Sequence, residues 1–89
     1  MKHVGIVVVT FNRKELLEEC LSNLLSSSYS EFHIYLIDNG STDGTKESIQ
    51  DFLSNPKISY FNTGKNLGGA GGFNYGRKRA LDDGVDYIW

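Results

Sequence analysis

Two short polar segments hold the side chains of this chain that are best suited to bind a ligand. The first, Thr10-Phe11-Asn12-Arg13, places an aromatic face, able to stack on a flat base, beside hydroxyl and amide groups that offer hydrogen bonds. The second, residues 38 to 44, begins with Asp38. Asp38 lies at the end of the second predicted strand, where nucleotide-binding α/β proteins commonly place an acid that contacts a ribose or base edge. The two segments therefore predict a nucleotide site.

The same residues also have purely local explanations. Asn12 is a good helix cap, and Glu15 three residues later completes a capping-box pattern. Residues 38 to 44 contain only Asp, Asn, Gly, Ser and Thr, which all favour turns. A turn and a binding site are compatible, and the binding interpretation requires Asp38 or Asn39 to face the Phe11 loop.

A third polar segment, residues 62 to 72, is predicted by its composition to be a loop, and a helix follows it. Its run Gly68-Gly69-Ala70-Gly71-Gly72 lets the backbone come close to a ligand. The amides of this run lead into a helix whose amino terminus favours anions, and Arg77 follows in reach of a phosphate. A flexible loop with surface arginines explains this segment equally well.

Hydrophobic patterning predicts the elements that must position these segments. Residues 4 to 9 and 34 to 37 are short apolar runs, which are typical of strands buried on both faces, and the second predicted strand spans residues 32 to 37. Residues 58 to 61 predict a weaker third strand near a sheet edge, and residues 86 to 89 open a fourth strand.

Helices are predicted between these strands. The first ends at the serine run 26 to 28, the second is capped by Asp43 and closed by Asn55-Pro56, and the third ends at Gly84. The side chains assigned to the core are Leu16, Leu17, Cys20, Leu21, Leu24 and Leu25 on the first helix, and Ile49, Phe52 and Leu53 on the second.

The alternation of strand and helix predicts the fold class, which is α/β with a mostly parallel sheet and right-handed crossovers. This topology brings the carboxyl ends of the strands, and with them all three polar segments, to one edge of the sheet. With 89 residues, the chain forms one domain at most.

Composition excludes several kinds of partner and location. The net charge is −2, and acids offset the basic run Arg77 to Arg79, so no nucleic-acid partner is expected. Cys20 is the only cysteine, which excludes an intrachain disulfide and a thiolate metal cluster and indicates a reducing, cytoplasmic setting. No segment reaches the roughly 18 apolar residues of a membrane span.

Motif spacing excludes other sites. The first turn lacks the G-x-G-x-x-G of a dinucleotide site, and the G-x-S-x-G elbow of a serine hydrolase does not occur. Asp82-Asp83 offers carboxylates of the kind that bind Mg²⁺ or Mn²⁺. The pair lies in the last turn before Gly84, away from the predicted ligand edge, so no metal site is assigned.

Three blocks of the sequence resemble the family 2 glycosyltransferases of the GT-A fold. The blocks are VVVTFNR at residues 7 to 13, LIDNGSTDGT at 36 to 45 and NLGGAGGFNYG at 66 to 76. Their order and separation match the family, and the resemblance covers essentially the whole chain. The third block is similar to rhamnosyltransferase-like and galactofuranosyltransferase-like members.

This resemblance implies transfer of a sugar from a nucleotide diphosphate donor to an acceptor hydroxyl, with inversion and with Mn²⁺ or Mg²⁺. It implies a glycan or lipid-linked acceptor and a role in polysaccharide or cell-surface glycan synthesis. Phe11 matches the position that stacks on the donor base, and Asp38 and Asn39 match the acidic pair that contacts the base. The donor-binding residues it implies are Thr10, Phe11, Asn12, Arg13, Asp38, Asn39, Asn66, Gly68, Gly69 and Arg77.

In the family, a strand similar to residues 85 to 89 runs directly into an Asp-x-Asp motif that binds the ribose and the metal. The resemblance therefore implies that residues 1 to 89 are the amino-terminal nucleotide-sugar-binding part of the domain. This part is a Rossmann-like half of the GT-A fold, truncated after the start of the fourth strand. It contains no implied catalytic residue or metal ligand, and alone it is expected to be inactive.

Without a metal to neutralise the diphosphate, this part is also expected to bind its donor weakly. The metal is expected only in the intact enzyme, which the resemblance implies works in the cytoplasm at the membrane surface.

Two alternatives remain open. The chain is a non-catalytic nucleotide-binding or self-assembling module, in which an exposed sheet edge pairs with a second copy to form a homodimer. Or it is a sugar nucleotidyltransferase, which shares the general architecture but requires a glycine-rich basic loop after the first strand. Residues 10 to 13 lack such a loop.

Overall fold

A computed structural model describes residues 4–27 and 31–89 of the chain. Strands and helices alternate along it, as the apolar pattern predicts. The predicted end of the first helix is confirmed at Ser26, and Ser28 lies outside the described residues. The elements are β1 (Val4–Thr10), α1 (Lys14–Leu25), β2 (Phe32–Asp38), α2 (Thr45–Ser48), α3 (Gln50–Leu53), β3 (Ile58–Asn62), α4 (Gly68–Asp82) and β4 (Tyr87–Ile88).

The four described strands form one parallel sheet in the order β3-β2-β1-β4. β1 and β2 pair along their whole length, from Val4 opposite Phe32 to Thr10 opposite Asp38. β3 lies at an edge, as predicted, with Asn62 opposite Asp38. The strand order changes direction at β1, because β4 lies on the side of β1 away from β2. In open α/β sheets, ligands bind at such a point, outside the carboxyl ends of the strands.

Helices α1, α2 and α3 cover one face of the sheet and close the main hydrophobic core. Alternate residues of β1 and β2 point to this face, because successive side chains of a strand point to opposite sides. Leu21 of α1 and Ile34 and Leu36 of β2 are fully buried there. The core cluster consists of Val4, Leu17, Leu21, Phe32, Ile34, Leu36, Ile49 and Ile58.

The core stripe predicted for α1 is too wide. Leu17 is buried, whereas Leu16 is 60% exposed and Cys20 is only half-buried. Leu16 and Cys20 are one helical turn apart on the flank of α1, beside the line of side chains that meets the sheet. An open groove of about 420 Å³ runs along this flank.

Both predicted helix caps are wrong. α1 begins after Arg13 and α2 begins after Gly44, and neither start has a side-chain capping hydrogen bond. Asp43 instead accepts the Lys14 N–H over 3.4 Å, and Asn12 bonds to the neighbouring loop. Asp43 also accepts the hydroxyl of Thr45, the first residue of α2, so it joins this helix start to that of α1.

Helix α4 packs against the other face of the sheet through small residues. A Cβ at Gly76 would lie 2.6 Å from Cγ1 of Val7, and one at Gly72 would lie 2.7 Å from Cγ1 of Val9. These glycines let the helix backbone lie directly on β1. The loop prediction for the glycine run is wrong from Gly68 onward, since this run forms the first turns of α4. Packing against the sheet offsets the low helix propensity of glycine.

Candidate functional site

Hydrogen bonds join the loops after β1 and β2 at the carboxyl edge of the sheet. The Asn39 N–H donates to the Thr10 carbonyl over 2.9 Å. The Asn12 N–H donates to Ser41 Oγ over 2.9 Å, and the Thr42 N–H donates to Asn12 Oδ1 over 2.7 Å. The two polar segments therefore lie against each other, as the binding interpretation requires.

The loop after β1 presents an aromatic side chain on a fixed backbone. Asn12 has a φ of 51°, in the left-handed region that asparagine adopts more readily than most residues. Phe11, the preceding residue, is 40% exposed and borders a cavity of about 240 Å³ together with Arg13 and Leu16. A flat ligand therefore has access to an aromatic side chain whose loop is held in place from the neighbouring strand.

Asp38, at the end of β2, is buried and hydrogen-bonded through both carboxylate oxygens. Oδ1 accepts the Ser41 N–H over 2.8 Å, and Oδ2 accepts the Tyr60 hydroxyl over 2.6 Å. The side chain is 1% exposed. Its carboxylate therefore shapes the loop after β2 and ties that loop to β3.

The contact between Tyr60 and Asp38 makes the stability of the fold depend on pH. Burial, followed by the hydrogen bond to Asp38 and the charge of Asp38, raises the pKa of Tyr60 to about 12. The fold therefore favours the neutral phenol, and its contribution to stability is complete below the unfolded-state pKa of about 10. That contribution is lost as the pH rises from about 10 through about 12, because the unfolded chain ionises first.

We expect the stability difference between the wild-type chain and Tyr60→Phe to shrink as the pH rises from 9 to 11. Urea unfolding at the two pH values measures it. A difference that stays constant would show that the phenol ionises equally easily in the folded and unfolded chains. The tyrosinate absorbance of the wild type, minus that of the variant, should titrate near pH 12.

The start of α4 lies at the same edge and is tied to β2. Asn39 Nδ2 donates to the Gly68 carbonyl over 3.1 Å, and the Gly68 N–H donates to Asn66 Oδ1 over 2.8 Å. Asn39 is buried, whereas Gly68 and Gly69 are exposed. The first amide of this 15-residue helix is therefore already bonded, and the exposed Gly69 carries the next one, beside the loops after β1 and β2.

Arg77 lies further from this edge than the other predicted site residues. It is exposed and lies about 13 Å along the axis of α4 from Gly68, in the third turn of the helix. Arg79 is held elsewhere, since its guanidinium lies over the rings of Phe61 and Tyr75 and donates to the Tyr75 hydroxyl. The structure thus gathers the predicted residues from 10 to 13, 38 to 39 and 66 to 69, and leaves Arg77 apart.

Two residues of the site escaped the sequence prediction. The Tyr60 hydroxyl donates to one carboxylate oxygen of Asp38. The Thr63 hydroxyl lies 3.2 Å from Asn39 Oδ1 and 2.7 Å from the Lys65 carbonyl. Alternation along β3 places Tyr60 two residues before the strand end. The register of β3 against β2 pairs Tyr60 with Leu36, on the same face of the sheet as Asp38 two residues further along β2, and from there the Tyr60 hydroxyl reaches the carboxylate.

Two kinds of feature are not found in the part of the chain that the structure describes. Residues 4–27 and 31–89 contain no group of three His, Cys, Asp or Glu side chains that could hold a metal ion. Within the same ranges, no helix has the length and apolar character needed to cross a membrane.

Comparison with known families decides what kind of chain this is. The family model described as "Glycosyl transferase family 2" matches residues 5–89. The chain belongs to glycosyl transferase family 2. The resemblance of the three sequence blocks to this family is thereby confirmed.

Named relatives of this family 2 chain are sugar-transferring and polysaccharide-building enzymes. A galactofuranosyltransferase of Mycolicibacterium smegmatis is 38% identical over 87 residues, which cover 97% of this chain and 28% of the relative. The poly-beta-1,6-N-acetyl-D-glucosamine synthase of Staphylococcus epidermidis is 34% identical over 77 residues, covering 86% of this chain and 19% of the synthase. The chain thus spans less than a third of the length of these relatives.

A solved structure supports the fold assignment. The mannosyltransferase PcManGT from Pyrobaculum calidifontis, determined in complex with GDP-Man and Mn²⁺, superimposes with a TM-score of 0.80 and 25% sequence identity. The match covers 88% of this chain and 24% of the mannosyltransferase. The predicted α/β, Rossmann-like architecture of a GT-A glycosyltransferase is confirmed.

Proposed function

We propose that this family 2 chain, residues 1 to 89, is the nucleotide-sugar-binding part of a glycosyltransferase domain. The observation that carries the proposal is the exposed Phe11, linked through Asn39 to the exposed start of α4. Such an edge offers an aromatic face to a base and helix amides to a diphosphate. The share of the relatives that the chain spans supports its being one part of a larger domain.

Roles within the site follow from exposure and from the bonds already made. Phe11 stacks on the base, and the backbone N–H of Gly69 meets the diphosphate, while Gly68, whose N–H already donates to Asn66, shapes the start of the helix. Asn12 and Asp38 hold the loops, because their side-chain oxygens already accept protein hydrogen bonds. The residues that we propose form the donor site, either by contact with the donor or by holding its loops, are Thr10, Phe11, Asn12, Arg13, Asp38, Asn39, Asn66, Gly68, Gly69 and Arg77, of which Arg77 stands furthest from the edge.

In the intact protein, an acceptor hydroxyl attacks the anomeric carbon of the donor sugar. The new glycosidic bond forms as the bond to the nucleoside diphosphate breaks, and the configuration inverts. The hydroxyl proton passes to a carboxylate base that lies outside the residues assigned here. In this proposal, Mn²⁺ or Mg²⁺ is bound only in the intact enzyme, by residues outside those assigned here.

The names of the relatives guide the choice of acceptor and setting. One is a polysaccharide synthase and another transfers galactofuranose. We therefore propose a role in polysaccharide or cell-surface glycan synthesis, with a glycan or lipid-linked acceptor. The intact protein would work in the cytoplasm, at the membrane surface.

Titration of the chain with UDP, dTDP and GDP tests the site. Replacing Phe11 with alanine should weaken binding about tenfold, since stacking of a base on an aromatic side chain is worth roughly 1–3 kcal/mol. Tyr87→Ala is the matched control, because Tyr87 is another exposed aromatic but pairs with Val4 at the far end of β1. We expect the control to bind like the wild type.

NMR shifts of backbone amides provide the measurement. For the wild type, they should move at residues 10 to 13, 38 to 42 and 66 to 70 with millimolar nucleotide. Shifts scattered over the rest of the sheet, or none at millimolar nucleotide, would rule out this site.

A self-assembling module is the alternative that one observation favours. In the described part of the chain, β3 pairs on one side only, with β2, so its outer edge offers backbone groups to another strand. Light scattering measures the mass of the chain in solution. A dimer mass for the wild type and a monomer mass for a variant with a charged residue on this edge would support the alternative.

A further inference from the structure

We infer that Asn39 is a positioning residue, which fixes the first turn of α4 against the end of β2 and makes no contact with the bound base. The inference rests on the proposed donor site and refines it. It reassigns the second member of the Asp38-Asn39 pair from reading the nucleotide to building the surface that receives it.

The side-chain amide of Asn39 is already used within the protein. Nδ2 donates to the Gly68 carbonyl over 3.1 Å, and Oδ1 lies 3.2 Å from the Thr63 hydroxyl. The side chain is 2% exposed. A base edge therefore cannot reach the Asn39 amide unless these two contacts open.

The chemistry of the contact requires an amide at this position. Aspartate has no N–H to donate, so its carboxylate would face the Gly68 carbonyl at about the same 3.1 Å and the two oxygens would repel each other. Leucine would leave the Gly68 carbonyl without this donor. Of side chains with this shape, asparagine alone both accepts on one branch and donates on the other.

Gly72 is matched to Asn39. A Cβ at residue 72 would lie 3.0 Å from Asn39 Nδ2, which is closer than side-chain carbons normally approach. The glycine run of α4 thus has a second cause besides its packing on β1, because the absence of a side chain leaves room for the amide. Asn39 and Gly72 act as one unit that seats the helix.

Seating the helix determines where the backbone of Gly68 and Gly69 lies. The proposed donor site uses that backbone for the diphosphate, which every nucleoside diphosphate contains. Loss of the Asn39 side chain should therefore weaken the binding of nucleotides with different bases by the same factor. A residue that reads the base would instead change the ratio of their affinities.

The first experiment needs no nucleotide. Amide hydrogen exchange of Gly72, whose N–H closes the first α4 turn on the Gly68 carbonyl, is compared in the wild type, Asn39→Asp and Asn39→Ala. We expect exchange at least tenfold faster in both variants, with the exchange of Val7 in β1 unchanged. Asn23→Ala, at an exposed asparagine of α1, is the control and should leave both rates unchanged.

A measurement on the wild type alone tests the inference even if the Asn39 variants do not fold. The wild-type Asn39 side-chain amide protons should exchange slowly and keep their resonance positions when UDP is added. Fast exchange of these protons, or unchanged Gly72 exchange in folded variants, would overturn the inference.

The second experiment measures the dissociation constants of UDP and GDP for the wild type and Asn39→Ala. We expect both constants to rise about tenfold and their ratio to stay within twofold. A changed ratio, or a large UDP-induced shift of the Asn39 side-chain amide, would return Asn39 to the base-reading role. If the wild type binds neither nucleotide, the proposed function fails, while the exchange result still decides whether Asn39 seats α4.

Discussion

Replacement of Asp38 with alanine should destabilise the fold by about 3 kcal/mol. The substitution leaves two partly buried donors, the Ser41 N–H and the Tyr60 hydroxyl, without the carboxylate that accepts them at 2.8 Å and 2.6 Å. Losing one partner of a buried hydrogen bond costs more than the bond itself contributes, because the remaining group is desolvated and unpaired. Urea unfolding followed by circular dichroism measures the change.

Two further variants separate the hydrogen bonds from the general effect of shortening an acid. Asp38→Asn should cost less than Asp38→Ala, since its oxygen still accepts the Ser41 N–H and its amide donates to a rotated Tyr60 hydroxyl. Asp51→Ala, at an exposed aspartate of α3, should change stability by no more than about 0.5 kcal/mol. An Asp38→Ala chain as stable as the Asp51→Ala chain would mean that the carboxylate contributes nothing to the fold.

Replacement of Gly76 with alanine should destabilise the chain by about 2 kcal/mol. The added methyl would lie 2.6 Å from Cγ1 of Val7 and 3.0 Å from Cγ1 of Ile37, so α4 must lift from the sheet or the strand side chains must leave their rotamers. The higher helix propensity of alanine, worth up to about 1 kcal/mol, offsets only part of this cost.

Gly69→Ala is the matched control, because it makes the same substitution in the first turn of the same helix. A Cβ there meets nothing within 4 Å, and the φ of Gly69 is not in the left-handed region. We expect this variant to be as stable as the wild type or slightly more stable. If Gly76→Ala proves as stable as Gly69→Ala, α4 does not lie on β1 through its glycines. Thermal unfolding of the two variants side by side decides the point.

The two variants also test how the site is supported. Asp38 shapes the loop whose Ser41 and Thr42 hold Asn12, and Asn12 sets the backbone that presents Phe11. Gly76 sets the depth at which α4 lies, and therefore the place where its first amides meet solvent. Binding of a nucleoside diphosphate should consequently weaken in Asp38→Ala and Gly76→Ala, and should stay unchanged in Asp51→Ala.

Much of the fold could be predicted from local sequence. The apolar runs at 4 to 9 and 34 to 37 lie within β1 and β2, the weaker run at 58 to 61 forms an edge strand, and residues 87 and 88 form the fourth strand. The alternation of these runs with helices fixed the parallel α/β class. Three polar blocks in a characteristic order also identified the family, because the loops at the strand ends hold most of the side chains that characterise it.

The sequence by itself therefore determined the elements, their order and the edge at which a ligand would bind, since periodicity and turn chemistry act over neighbouring residues. The tertiary structure decided which polar groups are already bonded and which face solvent. It paired Asp38 with Tyr60 and Asn39 with Gly68, made the first helical turns from a predicted loop, and left Leu16 exposed and Arg77 apart. These outcomes depend on strand register and on helix-to-sheet packing, which bring together residues more than twenty positions apart in the chain.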